Sequence, residues 1–124
     1  MTNSIRLILV CLITLTQFSC KNDDDTTTVH PIIGEWLRND YTTNPTFEFK
    51  LHFLEDNVNG MRTVLTSDNN GTTSSASGFE WNIDNNLLTI SMDDDDDDIV
   101  TSFQFTTNGN LLLPDYSDLE FIRQ

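Results

Sequence analysis

From residue 32 onward the chain alternates apolar and polar side chains with a period of two. Phe47, Phe49, Leu51 and Phe53 alternate with Thr46, Glu48, Lys50 and His52. One face of such a segment is apolar and the other polar, which is the mark of a half-buried strand. The same alternation sets Phe79, Trp81 and Ile83 against Glu80 and Asn82, and Leu88, Ile90 and Met92 against Thr89 and Ser91. Ile99, Thr101, Phe103 and Phe105 make a further stripe, and shorter candidates lie at 32–38, 61–66, 111–113 and 118–123. No segment keeps helical spacing over two turns. The pattern predicts about eight strands in succession, an all-β chain.

The connections carry a second pattern. Residues 39–45, 67–77, 93–98 and 114–117 read as long or polar loops, whereas 56–60, 84–86 and 107–110 read as tighter turns. Asn108-Gly109 is a hairpin signal because both residues accept positive φ. In an antiparallel up-and-down meander, alternate connections fall at opposite ends of the sheet. One end is therefore predicted to be closed by tight turns and the other ringed by longer loops. Eight strands can curl into a small barrel whose interior is just wide enough for side chains or one small ligand. Closure also removes the exposed edges of a long meander. A small β-sandwich or an open meander is the alternative.

The N-terminus follows a different rule. Arg6 precedes a short apolar run, LILVCLITL at 7–15, which ends at Gln17-Phe18-Ser19-Cys20. A run of this length is too short to span a bilayer, which takes about 20 residues; its flanks match a signal peptide. The segment resembles the leader of bacterial lipoproteins, with Gln17 where an aliphatic residue is usual. That resemblance implies cleavage between Ser19 and Cys20, lipidation of Cys20, and attachment to the membrane through the lipid. Lys21-Asn22-Asp23-Asp24-Asp25 is similar to the surface-export signal of Bacteroidetes lipoproteins, which implies an outer-membrane, cell-surface address; a solvated linker is the plainer reading. The chain then divides into a signal peptide at 1–19, a lipidated cysteine with a flexible acidic tether at 20–29, and a barrel domain at 30–124.

Composition narrows the chemistry. Removing 1–19 leaves 105 residues, enough for one small domain. Cys11 leaves with the leader and Cys20 is taken by lipid, so the domain holds no thiol and no disulfide. Its stability must come from an apolar core. The whole chain carries −14; loss of Arg6 makes the mature chain −15. Such a surface repels nucleic-acid phosphates and does not adsorb to anionic membranes through its folded body.

Gly34-Glu35-Trp36 has the Gly-x-Trp form of lipocalins and related calycin barrels, and Arg123 lies late in the chain. The combination resembles the short lipocalin-like domains of Bacteroidetes lipoproteins over residues 31–124. It implies that Trp36 packs near the closed end against Arg123, a structural pair. It further implies a monomeric barrel that binds a small apolar or amphipathic ligand. The strands are shorter than in full lipocalins and no C-terminal helix follows, so a shallow or partly filled barrel is expected.

Two groups of residues are candidates for binding. Phe47, Phe49, Phe53, Phe79, Trp81, Phe103 and Phe105 either line a pocket for an apolar ligand or fill the core that any β domain of this size needs, each burial contributing about 2 kcal/mol. The six aspartates at 93–98 either form a solvated turn or attract a weakly held Ca²⁺ through Asp93, Asp95 and Asp97, which share one face of an extended loop. An acidic rim of this kind would steer cationic or amphipathic ligands. The chain lacks a nucleophile elbow, a zinc-protease helix and a phosphate-binding glycine loop. His30 in the tether region and His52 on an outward face stand beside no evident nucleophile. Nothing singles out a catalytic group or requires a cofactor. Two readings follow: a ligand-binding barrel, or a filled, non-catalytic accessory module that contacts a protein or glycan through its loops.

Overall fold

The computed structural model describes residues 29–56, 58–93 and 97–124. Cys20, the leader and all of the tether except Val29 lie outside them, as does Asp95. The described chain is all-β with a single 3-10 turn. Its strands are β1 (Gly34–Arg38), β2 (Phe47–Phe53), β3 (Asn59–Asp68), β4 (Gly71–Asp84), β5 (Leu87–Met92), β6 (Ile99–Ser102), β7 (Gln104–Phe105), β8 (Leu111–Leu113) and β9 (Ser117–Arg123). All pair antiparallel in one sheet, in the order β6-β5-β4-β3-β2-β1-β9-β8-β7. The first strand thus pairs with the last, Trp36 opposite Arg123 and Arg38 opposite Phe121. The sheet is a nearly closed barrel.

There are nine strands where eight were expected, because the stripe at 99–105 is split at Phe103. Its first part pairs with β5, Leu87 opposite Ser102, and its second part with β8, Phe105 opposite Leu111. The two edges of the sheet are consecutive in sequence, separated by one residue. The alternation 99-101-103-105 reports which way side chains point but not which neighbour the backbone bonds, so it could not show the break. Side chains span the remaining seam. Asp115 in the turn between β8 and β9 donates its backbone N–H to Thr101 Oγ1 at 3.2 Å, and its carboxylate accepts the Ser102 N–H at 3.1 Å. Thr101 Oγ1 also donates to the Ser102 carbonyl at 2.9 Å. Thr101 is fully buried, and these bonds meet the demand that a buried hydroxyl be satisfied.

A second departure lies at 67–77, read from its polarity as a loop. The structure makes it a hairpin: β3 and β4 pair without interruption from Asn59 opposite Glu80 to Asp68 opposite Gly71, leaving Asn69-Asn70 as the turn. Thr72 and Thr73 suit an extended backbone. Asp68 Oδ1 accepts the Asn70 N–H at 2.7 Å, and Ser67 Oγ meets Thr72 Oγ1 across the strands at 2.9 Å. Gly71, at φ +136°, sits where an L side chain would be strained. Both faces of this arm are wet at its tip, so it has no apolar stripe for a sequence reading to find. The connection at 114–117 is also tighter than expected, with Tyr116 N–H bonded to the Leu113 carbonyl at 2.9 Å and β9 starting at Ser117. Only 39–46 and 93–98 remain as longer connections at that end.

The core runs the length of the barrel. Trp36, Leu51, Phe53, Phe79, Leu88, Ile90, Leu111, Leu113 and Phe121 are buried from both halves of the sheet. Residues 30–33 fold in beneath them and close the tight-turn end. Ile32 is fully buried and its carbonyl accepts the Trp36 indole N–H at 2.7 Å. His30, placed in the tether region from sequence, instead accepts the Ile32 N–H on Nδ1 and packs against Trp81 and Phe103. Gly60 leaves room for the Phe79 ring, because a Cβ there would run into it.

Candidate functional site

The aromatic residues divide into two interlocked groups. At the tight-turn end, Phe53 stands edge-on to Phe79 at 5.3 Å and to Trp81 at 5.4 Å between ring centroids. Trp81 donates its indole N–H to the Asn59 carbonyl at 2.8 Å, which fixes the ring. At the opposite end Phe49 meets Phe121 edge-on at 6.4 Å, and Tyr116 stacks on Phe121 at 6.4 Å. Edge-to-face and offset pairs at these spacings stabilise beyond simple burial. Phe49, Phe53, Phe79 and Trp81 are buried, and Phe47 and Phe103 are packed against the core. Phe105 is 37% exposed at the seam, 5.8 Å from Trp36 and 6.2 Å from Phe103.

The loop-bearing end carries a charge pattern that the aspartate run does not suggest. Arg38 lies across from Phe121 on β9 and, with Phe49 on β2, shares the inward face, its guanidinium carbon 4.5 Å from the Phe49 centroid and 5.6 Å from that of Phe47. Asp40 in the 3-10 turn (Asn39–Thr42) holds the guanidinium through Nε at 3.2 Å and Nη2 at 2.7 Å. Arg62 is opposite the buried Leu51 in the β2–β3 register, so it too faces inward, and it donates to Ser77 Oγ at 3.3 Å. Burial pushes the Tyr116 phenol above its ordinary value, and the positive charges of Arg62 and Arg38 partly offset that rise. The inner side of this end therefore holds the Arg38–Asp40 ion pair and Arg62 beside Tyr116, while the aspartates at 93 and 97 are exposed. Gly60, Arg62, Val64 and Thr66 keep one phase in the sequence, so the inward position of Arg62 was there to be read; the convergence on Tyr116 was not.

Asp93 and Asp97 are exposed. The Asp93 carboxylate lies against Gly78, where a Cβ would collide with it, and the Asp93 N–H is bonded to the Gly78 carbonyl at 3.2 Å. Asp95 is outside the described residues, so the three-carboxylate set proposed for Ca²⁺ is described only in part. No group of three or more potential metal ligands is found among the described residues.

Two of the hollows among the described residues are small and open to solvent. One, about 220 Å³, is lined by Val58, Glu80, Trp81, Asn82, Thr89 and Ser91. The other, about 240 Å³, is lined by Gln104, Leu112, Pro114, Ser117 and Asp118. Both fall below the roughly 300 Å³ at which small-molecule sites begin.

At the tight-turn end Arg123 covers Trp36, its guanidinium carbon 5.2 Å from the indole centroid. Its Nη2 donates to the Ile33 carbonyl at 2.9 Å and its Nη1 to the Pro31 carbonyl at 3.3 Å. The arginine thereby ties the last strand to the segment that enters the first. Gly34 lies beneath it at φ +132°, a backbone conformation that only glycine adopts without strain. Among protein-family models, characterised proteins and solved structures, none matches this chain.

Proposed function

We propose that this chain is a lipid-anchored, surface-displayed lipoprotein of lipocalin-like form that acts as a non-catalytic interaction module. In this reading its filled barrel meets a protein or glycan partner through its outer strands and loops. The observation that carries the proposal is the interior itself. The residues available to line a pocket are engaged ring to ring, from Phe79–Phe53–Trp81 at one end to Phe49–Phe121–Tyr116 at the other. The lipocalin-like comparison is supported by Gly34 and Trp36 on the first strand and Arg123 on the last, stacked at the end where the tether joins. The anchoring half rests on the leader and Cys20. With the tether at the tight-turn end, the loop-bearing end points away from the membrane.

A second reading keeps a small amphipathic ligand at the loop-bearing end. It is favoured by Tyr116 at that end, beside Arg62 and the Arg38–Asp40 pair, a mixed polar setting rather than the purely acidic rim expected from the aspartates. Titration with a fluorescent hydrophobic probe separates the two. The module reading expects no saturable binding, and a saturable, Tyr116-dependent site would replace it with the ligand reading. Metabolic palmitate labelling tests the anchor: label is expected on the protein and lost in Cys20→Ala, and label that survives the substitution overturns it.

A further inference from the structure

We propose that the free edge of β4 at 72–76 is a docking site for an extended, basic segment of a partner protein, added to the sheet as an extra strand. This rests on the module reading and names the surface it uses. β4 is 14 residues long, but β5 pairs only with its second half, from Phe79 opposite Met92 to Asp84 opposite Leu87. On the other side β3 pairs along β4 from Glu80 back to Gly71. Residues 71–76 are therefore paired with β3 on one side, and no strand of the described residues occupies the other.

The direction of the unpaired groups follows from two bonds. The Gly78 carbonyl turns toward the β5 side, where it accepts the Asp93 N–H, and the Trp81 N–H turns toward the β3 side, where it meets the Val58 carbonyl. In an extended strand, successive residues turn their N–H and C=O to alternate sides. Thr72, Ser74 and Ala76 share the parity of Gly78, so their donors and acceptors point along the free edge. All three are exposed. Edges of this kind are usually blunted by charge, proline or a bulge; the stretch GTTSSAS at 71–77 has none of these, and its register with β3 is continuous. Strand addition takes affinity from such main-chain groups and selectivity from the side chains around them.

Charge selects the occupant. The edge is uncharged but is bracketed by exposed Asp68 at the turn and exposed Asp93 at its other end, with Asp97 and Asp98 also exposed, on a chain of net −14. A second copy, paired antiparallel about Ser74, would bring the same acids together. A segment with Lys or Arg at alternate positions meets them with opposite charge, and steering by the net charge favours its approach.

The test is an NMR titration of the protein with a synthetic peptide alternating Lys with Thr and Val. Two controls accompany it: a Glu-for-Lys peptide, and the Lys peptide N-methylated along one edge. Saturable shifts centred on the amides of Thr72, Ser74 and Ala76 are expected, with binding weakened at least about tenfold for either control. Ser74→Pro should weaken binding similarly while leaving the melting temperature unchanged, because its N–H points away from β3 and an edge tolerates proline there. Ala76→Lys provides a variant with an intact backbone and the same expected loss. Equal binding by the N-methylated peptide, shifts elsewhere, or no binding of the Lys peptide each overturns the edge proposal. Saturable hydrophobic-probe binding overturns the module reading instead, so the two failures are distinguishable.

Discussion

Trp36 and Arg123 are paired across the junction of the first and last strands, the guanidinium carbon 5.2 Å from the indole centroid. The same arginine bonds the Ile33 and Pro31 carbonyls, and Trp36 bonds the Ile32 carbonyl. One contact thus closes the ladder and fastens the segment beneath it. Arg123→Ala is expected to cost about 1–2 kcal/mol in urea unfolding, from the lost cation–π contact and two charge-assisted bonds in a partly solvated setting. Arg123→Lys should recover only part of this, because an ammonium lacks the fork that reaches two carbonyls. An Ala variant as stable as the parent would show that β1 and β9 hold without it.

The seam between β6 and the β8–β9 turn depends on Thr101. Thr101→Val keeps the shape but leaves the Asp115 N–H without its acceptor, an expected loss of about 1–3 kcal/mol. Hydrogen exchange should locate the effect, with amides of β6 and of the turn at 114–116 losing protection before those of β2 and β3. Uniform loss across the sheet would contradict a seam held by these side chains.

Gly60 and Phe79 face each other in the β3–β4 register. Gly60→Ala drives a methyl into the ring and should destabilise by about 1–3 kcal/mol. Combined with Phe79→Leu, the second change should cost less than it does alone, because the smaller side chain accepts the methyl. Strict additivity in the double-mutant cycle would remove the steric explanation.

Stability should fall at both extremes of pH, for separate reasons. Tyr116 is raised above 10.0 by burial and Lys50 above 10.5, chiefly by its hydrogen bond to Glu35. Groups raised on folding favour the native state below their unfolded values and lose that contribution as pH rises through the folded ones. Unfolding midpoints should therefore drop from about pH 10 upward, less steeply in Tyr116→Phe. Asp56 is lowered by the Asn59 side chain and by the Asn59 and Val58 N–H groups. Its contribution is present above the unfolded value and lost as pH falls through the folded one. Asp56→Asn should flatten the acid limb; an unchanged acid limb would remove the Asp56 turn bonds from the account.

The strands with one buried face were legible because period two is a direct record of burial. Phe47 to Phe53, Phe79 to Ile83 and Leu88 to Met92 lie in strands with the expected faces inward. The hairpin arm at 67–77 was not, since a strand wet on both sides carries no stripe. His30 was misplaced for the converse reason. A single imidazole two residues before Ile32 gives no periodicity, and only the packing of Trp81 and Phe103 shows where it rests. At the loop-bearing end the aspartate run dominates the sequence, yet the charges that face Tyr116 are Arg38 and Arg62, brought together from β1 and β3.

The sequence by itself determined the class of this protein: an acidic all-β chain, antiparallel because tight turns join its strands, and aromatic on the faces that alternation turns inward. Alternation and turn residues act locally, so they survive in one dimension. Tertiary structure alone decided the rest: the pairing of β1 with β9, the split of one stripe into two edges at Phe103, the ring-to-ring contacts of the core, and the side of β4 that no described strand covers. Each depends on which backbone lies beside which, and hydrogen bonding between distant segments leaves no period in the chain.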